Sequence, residues 1–72
     1  MPRYYFHLRR GQMTVLDQEG IELADTAEAE IEAARRAQQI VGEEASKGVP
    51  ASTGRMIIVA DENWQRLFEL SF

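Results

Sequence analysis

The chain contains no cysteine and a single histidine. Without thiols it can form neither a disulfide nor a thiolate metal site, and one imidazole is too few for an ordinary structural zinc centre. Long apolar runs are missing as well: the longest, Met56 to Ala60, falls far below the roughly 20 residues of a membrane span. Met1-Pro2-Arg3 does not lead into an apolar segment, so no secretory signal is expected and the chain reads as soluble, cytoplasmic and without a membrane contact. Basic charge is also scarce. Eight Lys and Arg against 12 Asp and Glu leave a net charge of −4, the wrong sign for a general phosphate-binding surface. No glycine-rich phosphate loop occurs. The acidic pairs Asp17/Glu19, Glu43/Glu44 and Asp61/Glu62 lack the spacing of an EF-hand or a two-metal site and suit turns and helix surface instead. The expectation is a chain with no metal, no cofactor and no catalytic residue.

At 72 residues the sequence has room for one domain, residues 1–72. A domain near this size buries only about 60% of its unfolded surface. With disulfides and metals excluded, stability must come from good local packing or a partner subunit.

What is present falls into three blocks. In the first, Tyr4, Phe6 and Leu8 alternate with Tyr5, His7 and Arg9, which is the period of a strand. A tight turn at Arg10-Gly11 pairs Leu8 with Met13, Phe6 with Val15, His7 with Thr14 and Tyr5 with Leu16; a longer loop is the alternative. Strands are therefore predicted over about 3–9 and 12–16. Asp17-Gln18-Glu19-Gly20 reads as a turn, and Ile21-Glu22-Leu23 as a short extended bridge.

The second block predicts a helix over about 26–47. Asp25 is a good N-cap and Glu28 completes a capping-box pattern. At about 100° per residue, Glu28, Glu32, Arg35, Arg36, Gln39, Glu43, Ser46 and Lys47 fall on one arc, opposite Ala27, Ile31, Ala34, Val41 and Ala45. The second set is the expected buried stripe. A mixed stripe, with Glu30 and Glu44 flanking Ala33, Ala37 and Ile40, is a possible contact surface. Gly42 should cost about 1 kcal/mol relative to alanine, and Gly48 followed by Pro50 ends the helix.

The third block predicts strands over about 55–60 and 65–71, around a turn at Asp61-Glu62-Asn63-Trp64. A two-residue loop pairs Ile57 with Phe68 and Ile58 with Leu67. A three-residue loop with a bulge at Trp64 shifts that pairing.

Strand, strand, helix, strand, strand describes a two-layer α+β sandwich, one helix on a four-stranded, mainly antiparallel sheet. Only one sheet face can meet the helix. The other face carries Tyr5, Leu16, Met56, Ile58 and Leu67, with His7 among them, and monomers seldom expose large apolar patches. Packing against a second copy is the economical remedy, so a homodimer is expected, with room for an unidentified protein partner.

The stretches "MPRYYFHLRRG", "LDQEGIEL", "AEAEIEAARRA" and "VADENWQRLFELSF" together resemble one family, domain of unknown function 6894. Its short alphaproteobacterial members open MPR-aromatic-aromatic-FH and commonly carry glycine at the position of Trp64. The resemblance spans nearly the whole chain and implies no activity and no catalytic residues. The segment "DTAEAEIEAARRA" is also similar, more weakly, to the antitoxin halves of toxin–antitoxin pairs, which implies an antitoxin-like partner-binding protein as an alternative.

Two further readings concern the first strand. His7 has the chemistry of a general base, but a base needs an orienting group and a pocket, and alternation places it on the sheet surface. It is read as a surface or interface histidine. The row Arg3, Tyr5, His7, Arg9 alternates cations with rings, like a platform for single-stranded nucleic acid. The acidic total weighs against nucleic acid as a partner.

Overall fold

The computed structural model describes residues 1–48 and 54–72. The chain runs β1 (Arg3–Arg10), β2 (Met13–Val15), β3 (Ile21–Glu22), α1 (Thr26–Ser46), β4 (Arg55–Ala60) and β5 (Arg66–Ser71). The architecture is α+β, with one helix on an antiparallel sheet ordered β2-β1-β4-β5. A fifth strand joins it. β3, expected only as an extended bridge, pairs with the start of β1, Tyr4 opposite Ile21, so β2 and β3 share one edge of β1.

The first hairpin turns at Gly11-Gln12 rather than Arg10-Gly11, with Leu8 opposite Val15 and Arg10 opposite Met13. Gly11 has φ 56, and a type II′ turn wants glycine at its first central position. The pairing slips by two residues along β2. An even slip keeps every side chain on its expected face.

In the second hairpin the pairing expected from a two-residue loop, Ile57 with Phe68 and Ile58 with Leu67, does not occur. Ile57 lies opposite Leu70, Val59 opposite Phe68 and Ala60 opposite Arg66, with a bulge between Val59 and Ala60. The loop itself is the three-residue kind. Asp61 N–H donates to Gln65 O and Trp64 N–H to Asp61 O, both at 3.0 Å, and Trp64 sits at φ 60. The bulge beyond the loop makes Leu67 an extra residue and resets the register.

Tyr4, Phe6, Ile57 and Val59 bury one sheet face against Ala29, Ala33 and Ala37 of α1, with Phe68, Leu70 and Phe72 partly buried beside them. Asp25 caps the helix as expected, its Oδ1 accepting from Glu28 N–H at 3.0 Å. Glu28 reaches back to Ala24 N–H at 3.1 Å. Gly48 ends the helix at φ 71; Pro50 lies outside the described residues.

The expected buried stripe of α1 is wrong. Ala27, Ala34 and Ala45 are exposed, and Ile31 and Val41 are 71% and 45% exposed. The stripe noted as a possible contact surface meets the sheet instead. Alanine lets the helix axis sit close to the large side chains of β1 and β4. Glu44 is tolerated at the end of that face because the buried Arg55 guanidinium bonds it, and Arg10 lies 3.5 Å from its other oxygen.

Candidate functional site

The outer sheet face is built from Tyr5, His7 and Arg9 of β1 and from Met56, Ile58 and Ala60 of β4, which lie opposite one another. It is not bare. The left-handed backbone at Trp64 turns the indole back over the sheet, where it stacks on Tyr5 (centroids 4.9 Å apart, planes at 26°) and on His7 (5.4 Å, 12°). His7 is therefore buried, only 7% exposed, which corrects its reading as a surface side chain. Tyr5, Met56 and Ile58 are half-buried. Leu16 at 59%, Trp64 at 57% and Leu67 at 39% remain exposed. The chain thus covers part of the face expected to be open, using a residue that the sequence pattern assigned only to a turn.

His7 is held from a second side. Its Nδ1 accepts from Asp17 N–H at 3.0 Å, which in the neutral ring leaves the hydrogen on Nε2. Asp17 fills the gap between β2 and β3 along the edge of β1. Its Oδ2 accepts from Phe6 N–H at 3.1 Å. Its Oδ1 accepts from Glu19 N–H at 3.1 Å and Gly20 N–H at 3.0 Å. Burial alone would raise this carboxyl, but the Gly20, Phe6 and Glu19 donors outweigh it and hold Asp17 below its ordinary value. The carboxylate is thus committed to backbone amides and touches the imidazole only through its own N–H. That is not the carboxylate–imidazole couple of general-base catalysis.

The row proposed as a nucleic-acid platform is largely engaged within the chain. Arg3 N–H donates to Glu62 Oε1 at 2.8 Å, and the Arg3 guanidinium bonds Glu19 O at 2.7 Å and Glu22 at 3.2 Å. The Tyr5 ring already carries Trp64. Arg9 Nε bonds Gly11 O at 3.2 Å.

The family model for a domain of unknown function, DUF6894, matches residues 3–72. The chain belongs to that family. Neither the curated proteins nor the solved structures yield a match.

This DUF6894 domain also has an open groove of about 380 Å³ between α1 and β1, floored by Phe6, Leu8, Ile40 and Ile57 and rimmed by Arg35 and Arg36. Arg36 lies 4.4 Å over the Phe6 ring and bonds Glu32 at 2.7 Å, while Arg35 holds the same carboxylate at 2.6 and 2.9 Å. The Arg35 hydrogen bonds, aided by Arg36, bring Glu32 from 4.5 down to about 2. The rim is thus an ion cluster closed on itself. Among the described residues no group of three or more His, Asp or Glu side chains is placed to hold a metal, and no helix is long and apolar enough to cross a membrane.

Proposed function

We propose that this DUF6894 domain is a non-catalytic interaction module that packs its outer sheet face against a second copy. One observation carries the reading. Trp64, held in a backbone conformation that few non-glycine residues adopt, leaves 57% of its surface in solvent while it stacks on Tyr5 and His7. Exposed aromatics that are held rigidly make good interface anchors, because little side-chain freedom is lost on association. Half-buried Tyr5, Met56 and Ile58 widen the apolar area, and His7 lies in its floor beneath the indole. A two-fold contact is the natural closed arrangement for such a patch.

The chain has one tryptophan, so its fluorescence reports this face directly. On dilution through the micromolar range, light scattering should show a dimer giving way to an 8.2 kDa chain. Trp64 emission should shift to the red in step. Leu16→Lys, at a side chain that is mostly solvent-exposed, should weaken the dimer without unfolding it. A monomer at every concentration, or a dimer whose dissociation leaves Trp64 emission unchanged, overturns the reading.

A further inference from the structure

We infer that β5 is a second docking edge, pairing antiparallel with β5 of another copy so that Leu70 lies opposite Leu70 of the partner subunit. β5 is the last strand of the sheet, and no described strand pairs with its far side. Phe72 N–H donates to Arg55 O at 3.0 Å. The antiparallel alternation turns the backbone groups of Phe68 and Leu70 toward β4 in the same way. Those of Glu69 and Ser71 point outward.

Folded proteins usually blunt such an edge with proline, a bulge or charge. Here the bulge lies at the start of β5, beside Ala60. Arg66 stands at that bulged start, and residues 68–72 contain no proline and one charge, Glu69, which is paired with Arg66. Phe68, Leu70 and Phe72 are half-buried on the helix side, against the core. A second copy would continue that core across the new ladder.

The side chains select the register. A two-fold antiparallel pair must keep opposing residues on one face, so the possible centres are single residues. Centring on Glu69 sets two carboxylates directly opposite each other, which is destabilising. Centring on Phe68 brings the bulged Leu67 into the ladder, and the ladder breaks there. Centring on Ser71 pairs only Leu70, Ser71 and Phe72 among the described residues, whereas centring on Leu70 sets Phe68 opposite Phe72 of the partner subunit and Glu69 opposite Ser71 of the partner subunit. The outward amides and carbonyls of Glu69 and Ser71 then satisfy one another.

This contact is independent of the Trp64 face, so the test uses the Leu16→Lys chain, in which that face is blocked. Hydrogen exchange at the Glu69 and Ser71 amides should slow as protein concentration rises, while Phe68, Leu70 and Phe72 stay protected throughout. Ser71→Pro removes a donor that β4 does not use, so the chain should stay folded and the dimer should be lost. Ser71→Lys places an ammonium opposite Glu69 of the partner subunit and should tighten dimerisation about two- to thirtyfold; Ser71→Glu should weaken it by a similar factor. Exchange at Glu69 and Ser71 that ignores concentration, a dimer indifferent to Ser71→Pro, or equal effects of the two charges overturns the inference. If these responses appear in the Leu16→Lys chain while the unsubstituted chain shows no change of Trp64 emission on dilution, the outer-face reading fails and the edge contact stands.

Discussion

At the scale of single residues, two positions on the loop between β2 and β3 hold the edge of β1 together. Gly20 has φ 69, and a Cβ there would come within 2.9 Å of Tyr4 O, Arg3 Cγ and Tyr5 Cε2. Tyr4 O is backbone and cannot move aside. Gly20→Ala should therefore destabilise the domain by more than about 1 kcal/mol, seen as a lower denaturant midpoint with an unchanged slope. Asp17→Ala removes the acceptor for Phe6 N–H, which has no strand opposite it in the gap between β2 and β3. A loss of about 1–3 kcal/mol is expected, together with faster exchange at the Phe6 amide. The acidic residues of this turn and of the next, Asp61 included, were legible as turn formers: Asp61 Oδ1 accepts from Asn63 N–H at 2.9 Å and Gln65 N–H at 3.0 Å. The role of Trp64 was not legible. A bulged three-residue loop at Trp64 was one of two readings of the turn, but nothing in the order of residues shows that the indole would lie over Tyr5 and His7.

At the scale of elements, the helix shows why an apolar pattern can mislead. The pattern pointed at the stripe that carries Ile31 and Val41, yet the sheet took the alanines, with Ile40 half-buried beside them. β1 and β4 already supply Tyr4, Phe6, Ile57 and Val59, so small partners let the layers approach. Glu44 looked like surface until Arg55, distant in sequence, arrived beside it. Arg55 also lies 5.0 Å over the Phe72 ring. Removing one partner of a buried pair strands the other. Arg55→Met should thus cost toward the low end of about 3–5 kcal/mol in chemical denaturation, and adding Glu44→Gln should recover part of it. The Glu32 cluster has a defined pH signature. Its carboxyl lies near 2 in the folded chain against an ordinary 4.5. The stability it contributes is therefore complete above pH 4.5 and is lost as pH falls toward 2. Asp17, also lowered, adds loss on the acid side in the same direction. Denaturation midpoints measured down this range should fall, and Glu32→Gln should start lower at neutral pH and fall less.

At the scale of the whole molecule, the two proposed contacts are compatible. A strand-edge pair has its two-fold axis perpendicular to the sheet, and a face-to-face pair has its axis along the sheet plane. Axes at right angles can close a four-copy assembly rather than an open chain. The exposed Ile31 and Val41 stripe on α1 lies on the opposite side from the outer face. Two-fold contacts on both opposite faces would run on without closing. Where both proposed contacts are intact, light scattering at high concentration should level off at four copies. Ser71→Pro and Leu16→Lys should each reduce that to two, and together to one.

The amino-acid sequence by itself determined the number and order of the main elements, the N-cap at Asp25, the ends of α1 and the sorting of β1 and β2 side chains between faces. These follow from local forces: backbone preference, capping and the two-residue alternation of a strand. Tertiary structure alone decided which helix stripe is buried, that β3 joins the sheet, the register of β5 and the folding of Trp64 over His7. Each of these depends on groups far apart in the chain meeting at fixed distance, where shape and charge are satisfied jointly and no local pattern records the outcome.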